Sequence, residues 1–353
     1  MSLTTLRREI NKIDNRITQL LNQRARITLK IGQIKSRMGK SIYAPDREDE
    51  ILRRLTKKNK GPLSKDALLA IYREIMSSSL SLEKPLKIAY LGPQATFTHL
   101  AALKKFGSQV EYIGCDSIAD VFLEVEKGLV DYGVVPVENS IEGAVTHTLD
   151  MLVDSDLKIC SQIILDISHN LLANCPMNKI KRIYSNPQVF GQCRLWLDEH
   201  LPHIERIEVS STTRAAQIAA KEKESGCIAS FLAAKVYKLK IIARDIEDSP
   251  HNITRFLVIG NTEVPPTGND RTSILFSIKD RVGALHDMLI PFKKYGINLT
   301  KIESRPSKKK LWDYFFFIDF NGHYKDTKVK KALQELEDRC KFLKVLGSYP
   351  KGE

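Results

Sequence analysis

The chain has 353 residues, a length that favours two or three domains over one. With 42% hydrophobic and 27% charged residues it has the composition of a globular protein, and no apolar run approaches the ~20 residues of a membrane-spanning helix. Six cysteines show no Cys-x-x-Cys pair and no histidine at metal-ligand spacing, and residues 1–12 lack a signal-peptide pattern. We therefore expect reduced cysteines, no metal site and a cytoplasmic protein.

The net charge of +13 is distributed unevenly along the chain. Residues 1–84 carry +10, residues 85–263 carry −4 and residues 264–353 carry +7. Such blocks indicate three modules, with an anion-binding surface or pocket in the first. Nucleic acid is the simplest partner for a basic block, so this alternative must be tested against the residue pattern.

The first module is predicted to be helical, because apolar residues recur every seven positions in two interleaved series. The series are Leu3, Ile10, Ile17 and Ile31, and Leu6, Ile13, Leu20, Ile27 and Ile34. We expect one helix over residues 6–36, about 46 Å long. Further helices should begin at Pro45 and after Ser64, the last ending near Ser81. A domain of this size cannot cover so long a helix, which predicts an intertwined all-helical dimer.

One position interrupts the apolar stripe. Arg24 occupies the first heptad series, and Arg24, Thr28 and Lys35 share one helix face. A charge within an apolar seam is costly unless an anion neutralises it. Alternatively, Arg24 extends to solvent or pairs with a structural carboxylate, and the spacing alone does not separate these interpretations.

The first module resembles the all-helical chorismate mutase family over residues 3–84. The resemblance lies in LRREINKID (6–14), NQRARITLKIGQIK (22–35), YAPDREDEIL (43–52) and REIMSSSLSLE (73–83). It implies a chorismate pocket formed by Arg7 of the partner subunit together with Arg24, Lys35, Arg47, Glu48, Ser79 and Glu83. Two positions depart from the family pattern: Ala44 stands where some members have Asp, and Glu83 where many have Gln.

The chemistry of that reaction suits these residue types. Chorismate is a dianion, which Arg7 and Arg24 can bind through bidentate forks. Its rearrangement to prephenate needs no nucleophile, metal or cofactor, only a fixed conformer and donors facing the ether oxygen. The predicted catalytic residues are Lys35 as the cation and Glu83 on the other side of that oxygen. Glu83 can donate only when protonated, and the sequence leaves its ionisation state open.

The second module, after Lys84-Pro85, alternates short apolar runs with helical patterns, which predicts a parallel sheet covered by helices. The return of the last strands suggests two similar lobes around a cleft. Polar residues follow five predicted strands, at 96–98, 138–140, 185–188, 210–213 and 230. Each could simply cap a helix, but together they favour a cleft for a small acid. The sequence contains no glycine-rich nucleotide motif.

This module is similar to the prephenate dehydratase family across almost its whole length. The similarity lies in YLGPQATFTHLAA (90–102), DYGVVPVENSIEGAV (131–145), YSNPQVFGQC (184–193) and NITRFLVIG (252–260). It implies a two-lobed, periplasmic-binding-protein-like α/β domain that needs no cofactor, with Thr254 as the catalytic residue. The other prephenate-binding residues implied are Asn139, Ser140, Ser185, Gln192 and Arg255. We interpret Thr254 as a hydrogen-bond donor to the departing hydroxyl, because its pKa is too high for a strong acid.

The third module follows Pro265-Pro266-Thr267-Gly268 and has the predicted order βαββαβ, which is ferredoxin-like. Its lysine run at 308–310 is predicted to be a solvated turn. RVGALHDML (281–289) and NLTKIESRPS (298–307) resemble the ACT regulatory domain of phenylalanine-sensitive dehydratases. The resemblance implies that phenylalanine is bound by Gly283, Ala284, Leu285, Glu303, Ser304, Arg305 and Pro306, at an interface between two ACT domains.

Together the modules predict three domains, at 1–84, 85–263 and 270–353. The implied function is conversion of chorismate to prephenate and then to phenylpyruvate, in phenylalanine biosynthesis, with feedback inhibition by phenylalanine. A homodimer or homotetramer is expected, without membrane or nucleic acid. The first alternative is a non-catalytic sensor that binds small acids, and the second is a basic nucleic-acid-binding protein.

Overall fold

The computed structural model describes residues 2–39, 41–278, 281–307 and 314–352. The chain divides into two compact units: Met1–Lys87 with Lys105–Glu111, and Ile88–Lys104 with Tyr112–Glu353. Within the described ranges, no helix is both long and apolar enough to cross a membrane.

The first unit contains the three predicted helices, α1 (Leu3–Arg37), α2 (Pro45–Lys58) and α3 (Lys65–Glu83). Ser2 and Ser64 cap α1 and α3, since their side chains accept hydrogen bonds from backbone N–H groups of the first turn. Helix α2 has Pro45 and acidic residues in its first turn, where the helix dipole favours them.

Most of the apolar stripe of α1 is exposed in the single chain. Only Thr28 and Gly32 are buried on this helix. The large exposed apolar residues are Leu3, Leu6, Ile10, Ile13, Ile17, Leu20, Leu21, Ile27, Leu29, Ile31 and Ile34. In a single chain, most of this hydrophobic surface is not packed against other residues. Soluble proteins rarely expose a continuous apolar patch of this kind.

The second unit begins with a two-lobed α/β region. The first lobe comprises β1 (Lys87–Leu91), α4 (Phe97–Phe106), β2 (Glu111–Cys115), α5 (Ile118–Glu126), β3 (Tyr132–Asn139), β4 (Gly143–Ala144), α6 (Thr146–Asp154) and β5 (Lys158–Asp166). The second comprises β6 (Asn170–Ala173), β7 (Arg182–Ser185), α7 (Pro187–Gln192), α8 (Arg194–His200), β8 (Glu205–Glu208), α9 (Thr212–Ala219), β9 (Ser225–Ala229), α10 (Phe231–Tyr237) and β10 (Lys240–Ala243). Strand β11 (Ile253–Gly260) then returns to the first lobe.

The prediction of a parallel sheet is wrong in part, because both sheets are mixed. The first sheet has the order β2-β1-β3-β11-β5 and the second β10-β6-β9-β7-β8. Strands β1 and β3 are parallel, as are β7 with β8 and β7 with β9. Strand β11 inserts between β3 and β5 and runs antiparallel to both. The βαβ pattern along the sequence could not reveal this insertion, because β11 pairs with strands far from it in the chain.

Two segments connect the lobes, and they hydrogen-bond to each other. Residues 167–169 lead from β5 to β6, and residues 244–252 lead from β10 to β11. The N–H of Ile167 donates to the carbonyl of Asn252 over 2.8 Å, and the N–H of Ile246 donates to that of His169 over 2.9 Å. Polar side chains on both connections are thereby brought close together.

The C-terminal part confirms the predicted ferredoxin-like order. It consists of β12 (Asp270–Ser277), α11 (Ala284–Lys294), β13 (Leu299–Pro306), β14 (Tyr314–Asn321), α12 (Thr327–Glu337) and β15 (Phe342–Pro350). The sheet order is β13-β14-β12-β15, with antiparallel pairing throughout. The lysine run at 308–310 and the predicted start of a strand at residue 311 lie outside the described residues.

Candidate active sites

The helical unit brings four of the predicted pocket residues together: Arg24, Lys35, Ser79 and Glu83 (the helical cluster). Arg24 Nη1 donates a hydrogen bond to Ser79 Oγ, which joins α1 to α3. The positive charges of Lys35 and Arg24 both act on the Glu83 carboxylate. Lys35 Nζ also donates to the Ile42 carbonyl over 2.6 Å. Arg24 is therefore half-buried within a polar cluster between two helices.

Burial dominates the electrostatics of Glu83. It raises the pKa of this carboxyl, although Lys35 and Arg24 oppose the shift. Glu83 Oε2 is buried and has no hydrogen-bond partner among the described residues. Gly32 permits this placement, because a Cβ at that position would lie 2.9 Å from Glu83 Cγ. A glycine inside a helix costs about 1 kcal/mol relative to alanine, and here it allows α3 to approach α1 closely.

The other three predicted pocket residues have different environments in the single chain. Arg7 is exposed on α1, in keeping with a contribution to a second subunit. Arg47 forms an exposed ion pair with Glu50 over 2.5 Å. Glu48 pairs with Lys105, a residue of the same compact unit, over 2.6 Å.

In the α/β region, five polar side chains form a continuous hydrogen-bonded row (the amide chain): Thr254, Asn139, Asn252, Gln192 and His169. Asn139 Nδ2 donates to Thr254 Oγ1 and to Asn252 Oδ1, each over 2.8 Å. Asn252 Nδ2 donates to Gln192 Oε1 over 3.0 Å, and His169 Nε2 lies 2.8 Å from the same oxygen. The row starts on β11 and β3 and spans both connections between the lobes.

The backbone fixes the direction of the amide chain at one end. Asn139 Oδ1 accepts hydrogen bonds from the main-chain N–H groups of Ile141 and Glu142, over 2.9 and 3.0 Å. A main-chain N–H can only donate, so the nitrogen of Asn139 must face Thr254. Thr254 Oγ1 therefore accepts from Asn139, and its own proton is directed away from that amide.

The same reasoning assigns the tautomer of His169 at the other end. Gln192 Oε1 is an acceptor, so His169 Nε2 carries the proton. His169 Nδ1 is buried and has no hydrogen-bond partner among the described residues. Burial lowers the pKa of the imidazole, against the influence of Gln192 and Glu247. A neutral imidazole therefore terminates the row, with the Phe97 ring packed edge-on at 5.6 Å between centroids.

A cavity of about 330 Å³ adjoins the amide chain, lined among others by Ile141, Glu142, Gln188, Gln192 and Asn252. This volume lies in the range of pockets that bind small molecules. The cavity thus provides space for a small molecule next to two members of the amide chain, and its lining also includes the carboxyl groups of Glu247 and Asp248.

The remaining predicted prephenate residues occupy different positions. Ser140 Oγ donates to the His251 carbonyl and accepts from Ile253 N–H, both over 2.9 Å, which holds the start of β11. Ser185 is fully buried and donates to the Ile228 carbonyl within the second sheet. Arg255 is not a member of the amide chain; its guanidinium forms ion pairs with Asp319 and Glu138.

The C-terminal domain contains a further cavity of about 290 Å³, at the N-terminus of α11. It is lined by Ile278, Arg281, Gly283, Ala284, Leu285, His286, Tyr314 and Phe316. Gly283 has a φ of +75° and caps the helix. Of the predicted effector residues, Ser304 and Pro306 lie on β13 opposite Phe316 and Tyr314, which line this cavity. Arg305 instead contacts Asp150 of α6 at 3.3 Å, and Glu303 is opposite Phe317.

Comparison with known proteins identifies all three regions. Family models match in order: chorismate mutase type II over residues 6–84, prephenate dehydratase over 88–264 and ACT domain over 272–338. The bifunctional chorismate mutase/prephenate dehydratase of Aquifex aeolicus is 52% identical, covering 99% of this chain and 98% of that protein. The chain belongs to the bifunctional chorismate mutase/prephenate dehydratase family. It is accordingly an enzyme with a mutase domain, a dehydratase domain and an ACT domain.

Two solved structures share the fold of the dehydratase and ACT domains. A prephenate dehydratase from Arthrobacter aurescens in complex with L-Phe is 34% identical, with a TM-score of 0.71, and covers 75% of this chain and 90% of that one. GqqA, described as a novel type of quorum quenching acylase, is 26% identical, with a TM-score of 0.70, and covers 75% of this chain and 97% of that one.

Sequence reasoning missed Asn252, His169 and Gly32. Asn252 lies in the motif that contains Thr254, but its hydrogen bonds to Asn139 on β3 and Gln192 on α7 are set by the tertiary structure. His169 lies on the connection between the lobes, which the strand assignment did not include. Gly32 did carry a signal, because an isolated glycine within a helical pattern often marks a close contact.

No group of three or more His, Cys, Asp or Glu within the described ranges could hold a metal ion.

The raised pKa of Glu83 predicts a pH dependence of the mutase. The neutral carboxyl can donate a hydrogen bond, and it ionises as pH rises, so mutase kcat/KM should fall on the alkaline side. Glu83→Gln should flatten this profile, because an amide donates at every pH. The measurement is kcat/KM from pH 5 to 9, with exposed Glu111→Gln as the control. A flat profile for the native enzyme would assign the stabilisation of the ether oxygen to Lys35 alone.

The amide chain predicts an effect of Asn252 on the dehydratase. Asn252→Asp keeps the acceptor towards Asn139 but removes the donor towards Gln192. We expect dehydratase kcat to fall about tenfold or more, since small misplacements of reacting groups are costly. The exposed Asn261→Asp serves as the matched control, with mutase activity as internal reference. Unchanged dehydratase kinetics in Asn252→Asp would show that Asn139 and Thr254 are held without this residue.

Proposed function

We propose that the mutase domain converts chorismate to prephenate at the helical cluster, and that the dehydratase domain converts prephenate to phenylpyruvate beside Thr254. This serves L-phenylalanine biosynthesis. The observation that carries the proposal is the directed hydrogen bond from Asn139 to Thr254, which leaves the threonine proton oriented to donate. Domain boundaries at 1–84, 85–263 and 270–353 are part of this proposal, supported by the ranges of the three family models.

In the mutase reaction the helical cluster binds a dianion and fixes its conformation. Arg24 supplies a guanidinium for a carboxylate, and Ser79 holds that guanidinium in place. Lys35 and protonated Glu83 donate to the ether oxygen as negative charge develops on it. The carbon–oxygen bond breaks while the new carbon–carbon bond forms, so no external proton is required. Arg7 of a partner subunit, Arg47 and Glu48 complete the proposed pocket.

In the dehydratase reaction the ring carboxylate leaves as carbon dioxide, and its electron pair enters the ring. The ring hydroxyl departs as water after taking up one proton that is ultimately supplied by solvent, and aromatisation drives the step. Thr254 donates a hydrogen bond to this oxygen, while Asn139 holds the threonine in orientation. Gln192 lies on the wall of the adjoining cavity, where it can bind the substrate. Ser140 and Ser185 support the strands around the site.

The ACT domain is proposed to bind L-phenylalanine and to inhibit the dehydratase. The cavity next to Gly283, Ala284 and Leu285 supports this proposal, because a helix N-terminus favours a carboxylate. Ser304 lies on the neighbouring strand, paired with Phe316 of the cavity wall. The Arthrobacter aurescens relative described in complex with L-Phe is consistent with this ligand.

A second copy of the chain is proposed to cover the apolar stripe of α1. At about 1.5 Å per residue, the 35 residues of this helix span about 52 Å. Eleven large apolar side chains on it are exposed in the single chain.

A cytoplasmic location also remains a prediction, and the six free cysteines are consistent with it.

The alternatives make different use of the same residues. A sensor that only binds small acids would not require a directed proton at Thr254. A nucleic-acid-binding protein would need its basic residues on an exposed face, whereas Arg24 is half-buried and donates a hydrogen bond to Ser79. The acylase relative shares the fold at lower identity than the dehydratase relative. Incubating purified protein with chorismate and detecting phenylpyruvate separates the proposed function from all three.

Two substitutions should dissect the activities. Arg24→Ala should lower mutase kcat/KM by about 100-fold or more and leave dehydratase activity on added prephenate intact, since the groups lie in different domains. Thr254→Ala should do the reverse, so that chorismate accumulates as prephenate, whereas Thr254→Ser should retain part of the activity. Mutase activity is measured by the prephenate formed from chorismate, and dehydratase activity by the phenylpyruvate formed from added prephenate, both in stopped assays. Equal loss of both activities in either variant would contradict independent sites.

Phenylalanine should raise the melting temperature. At a concentration of 100 Kd, binding to the folded state adds about 2.7 kcal/mol to the free energy of unfolding. Gly283→Val forces a β-branched residue into a φ of +75°, and Ser304→Ala removes a proposed contact. Both should reduce the shift, as measured by calorimetry, without abolishing either activity. An unaltered shift in both variants would place phenylalanine elsewhere.

The apolar stripe predicts a change of oligomeric state on substitution. Ile17→Asp places a charge in the proposed interface, so we expect a smaller assembly by light scattering and loss of mutase activity, because Arg7 is supplied by the partner. Dehydratase activity should be less affected. Leu129→Asp alters a similarly exposed apolar residue outside the stripe and is the control. A native protein that is monomeric at micromolar concentration would refute the dimer.

A further inference from the structure

Four charged side chains form a cluster where the dehydratase sheet meets the ACT sheet (the charge cluster). They are Glu138 on β3, Arg255 on β11, Lys301 on β13 and Asp319 on β14. Arg255 and Asp319 are 8% and 6% exposed. Two members come from each domain, and their formal charges cancel.

The charge cluster is held by alternating ion pairs. Arg255 Nη2 lies 2.6 Å from Asp319 Oδ2, and Arg255 Nε lies 3.6 Å from Glu138 Oε2. Lys301 Nζ lies 3.1 Å from the other oxygen of Glu138. Ser273 Oγ donates to the remaining Asp319 oxygen over 2.5 Å. Removing one charge would leave a buried partner uncompensated, so the four side chains depend on one another.

The charge cluster is adjacent to the proposed catalytic pair. In the ladder between β3 and β11, Thr254 is opposite Asn139, and the next pair along is Arg255 opposite Glu138. Successive side chains of a strand point to opposite faces of a sheet. Asn139 and Thr254 therefore hydrogen-bond on one face, while Glu138 and Arg255 extend from the other face towards the ACT domain.

The ACT residues of the charge cluster lie on elements next to the proposed effector site. Lys301 is on β13, the strand that carries Ser304, and Asp319 is on the adjacent β14, which carries Phe316 of the cavity wall. Strand β13 makes a second contact with the dehydratase domain through Arg305 and Asp150, at 3.3 Å. A displacement of β13 would therefore change the support of Glu138 directly.

We propose that Lys301 and Asp319 of the ACT domain are positioning residues for the dehydratase reaction. Through Glu138 and Arg255 they fix the ladder pair that carries Asn139 and Thr254, and phenylalanine inhibits by disturbing this support. The ion pairs give Arg255 a positioning role in place of direct contact with prephenate. The inference rests on the proposed dehydratase activity and extends it to a regulatory route.

The experiment compares Asp319→Asn and Lys301→Met with Lys325→Met. Lys325, a residue of the ACT domain, forms an exposed ion pair with Glu263. This pair is not part of the charge cluster, so Lys325→Met is the matched control. For each full-length protein, dehydratase kcat and KM, mutase kcat/KM, inhibition by phenylalanine and the phenylalanine-induced melting shift are measured well below the melting temperature.

We expect both cluster variants to lose about tenfold in dehydratase kcat, with KM changed less than about twofold and mutase activity unchanged. The phenylalanine-induced melting shift should persist while the inhibitory concentration rises by about tenfold. Asp319→Glu, which restores the charge, should recover part of kcat. If Asp319→Asn does not fold, Lys301→Met decides, because Lys301 pairs with a partly exposed carboxylate.

Three results would overturn the inference. The first is a dehydratase kcat of Lys301→Met equal to that of the native enzyme, and the second is a fall in kcat for Lys325→Met as large as that for the cluster variants. The third is a loss of inhibition accompanied by an equal loss of the phenylalanine-induced melting shift. A native protein without dehydratase activity would instead refute the proposed function, so the two failures are distinguishable.

Discussion

The insertion of β11 between β3 and β5 is the constraint on which the dehydratase part of this molecule depends. It places Thr254 opposite Asn139 and Arg255 opposite Glu138 in one ladder. One step along the strand thus separates a pair that faces the proposed substrate from a pair that faces the ACT domain. Because side chains alternate across a sheet, a shift of register by a single residue would exchange these roles.

Burial, rather than the choice of unusual residues, gives the two sites their chemistry. It raises the pKa of Glu83 and lowers that of His169, and each shift is towards the neutral form of the group. Neutral groups can take part in directed hydrogen bonds with a defined donor and acceptor. In the amide chain, two main-chain N–H groups determine that direction, which requires no charged residue near Thr254.

In the helical domain, two faces of α1 have different environments. The helical cluster between α1 and α3 requires Gly32 to bring the helices together, while the outer stripe of α1 remains exposed. The same helix therefore carries the polar cluster on one face and an exposed hydrophobic surface on another. The three helices of a single chain enclose only one side of α1, which is why we propose that a second copy covers the stripe.

The sequence by itself predicted the three helices and the ferredoxin-like order, because these depend on periodicity, caps and turn residues, and its resemblance to known families supplied most of the candidate site residues. It also located Arg24 as a charge in an apolar stripe. Only the tertiary structure decided that β11 runs antiparallel between distant strands and that Asn252 and His169 belong to the amide chain. It likewise turned Arg255 towards Asp319 of the ACT domain. These features depend on contacts between residues far apart in the chain, and no local pattern specifies which strands will become neighbours.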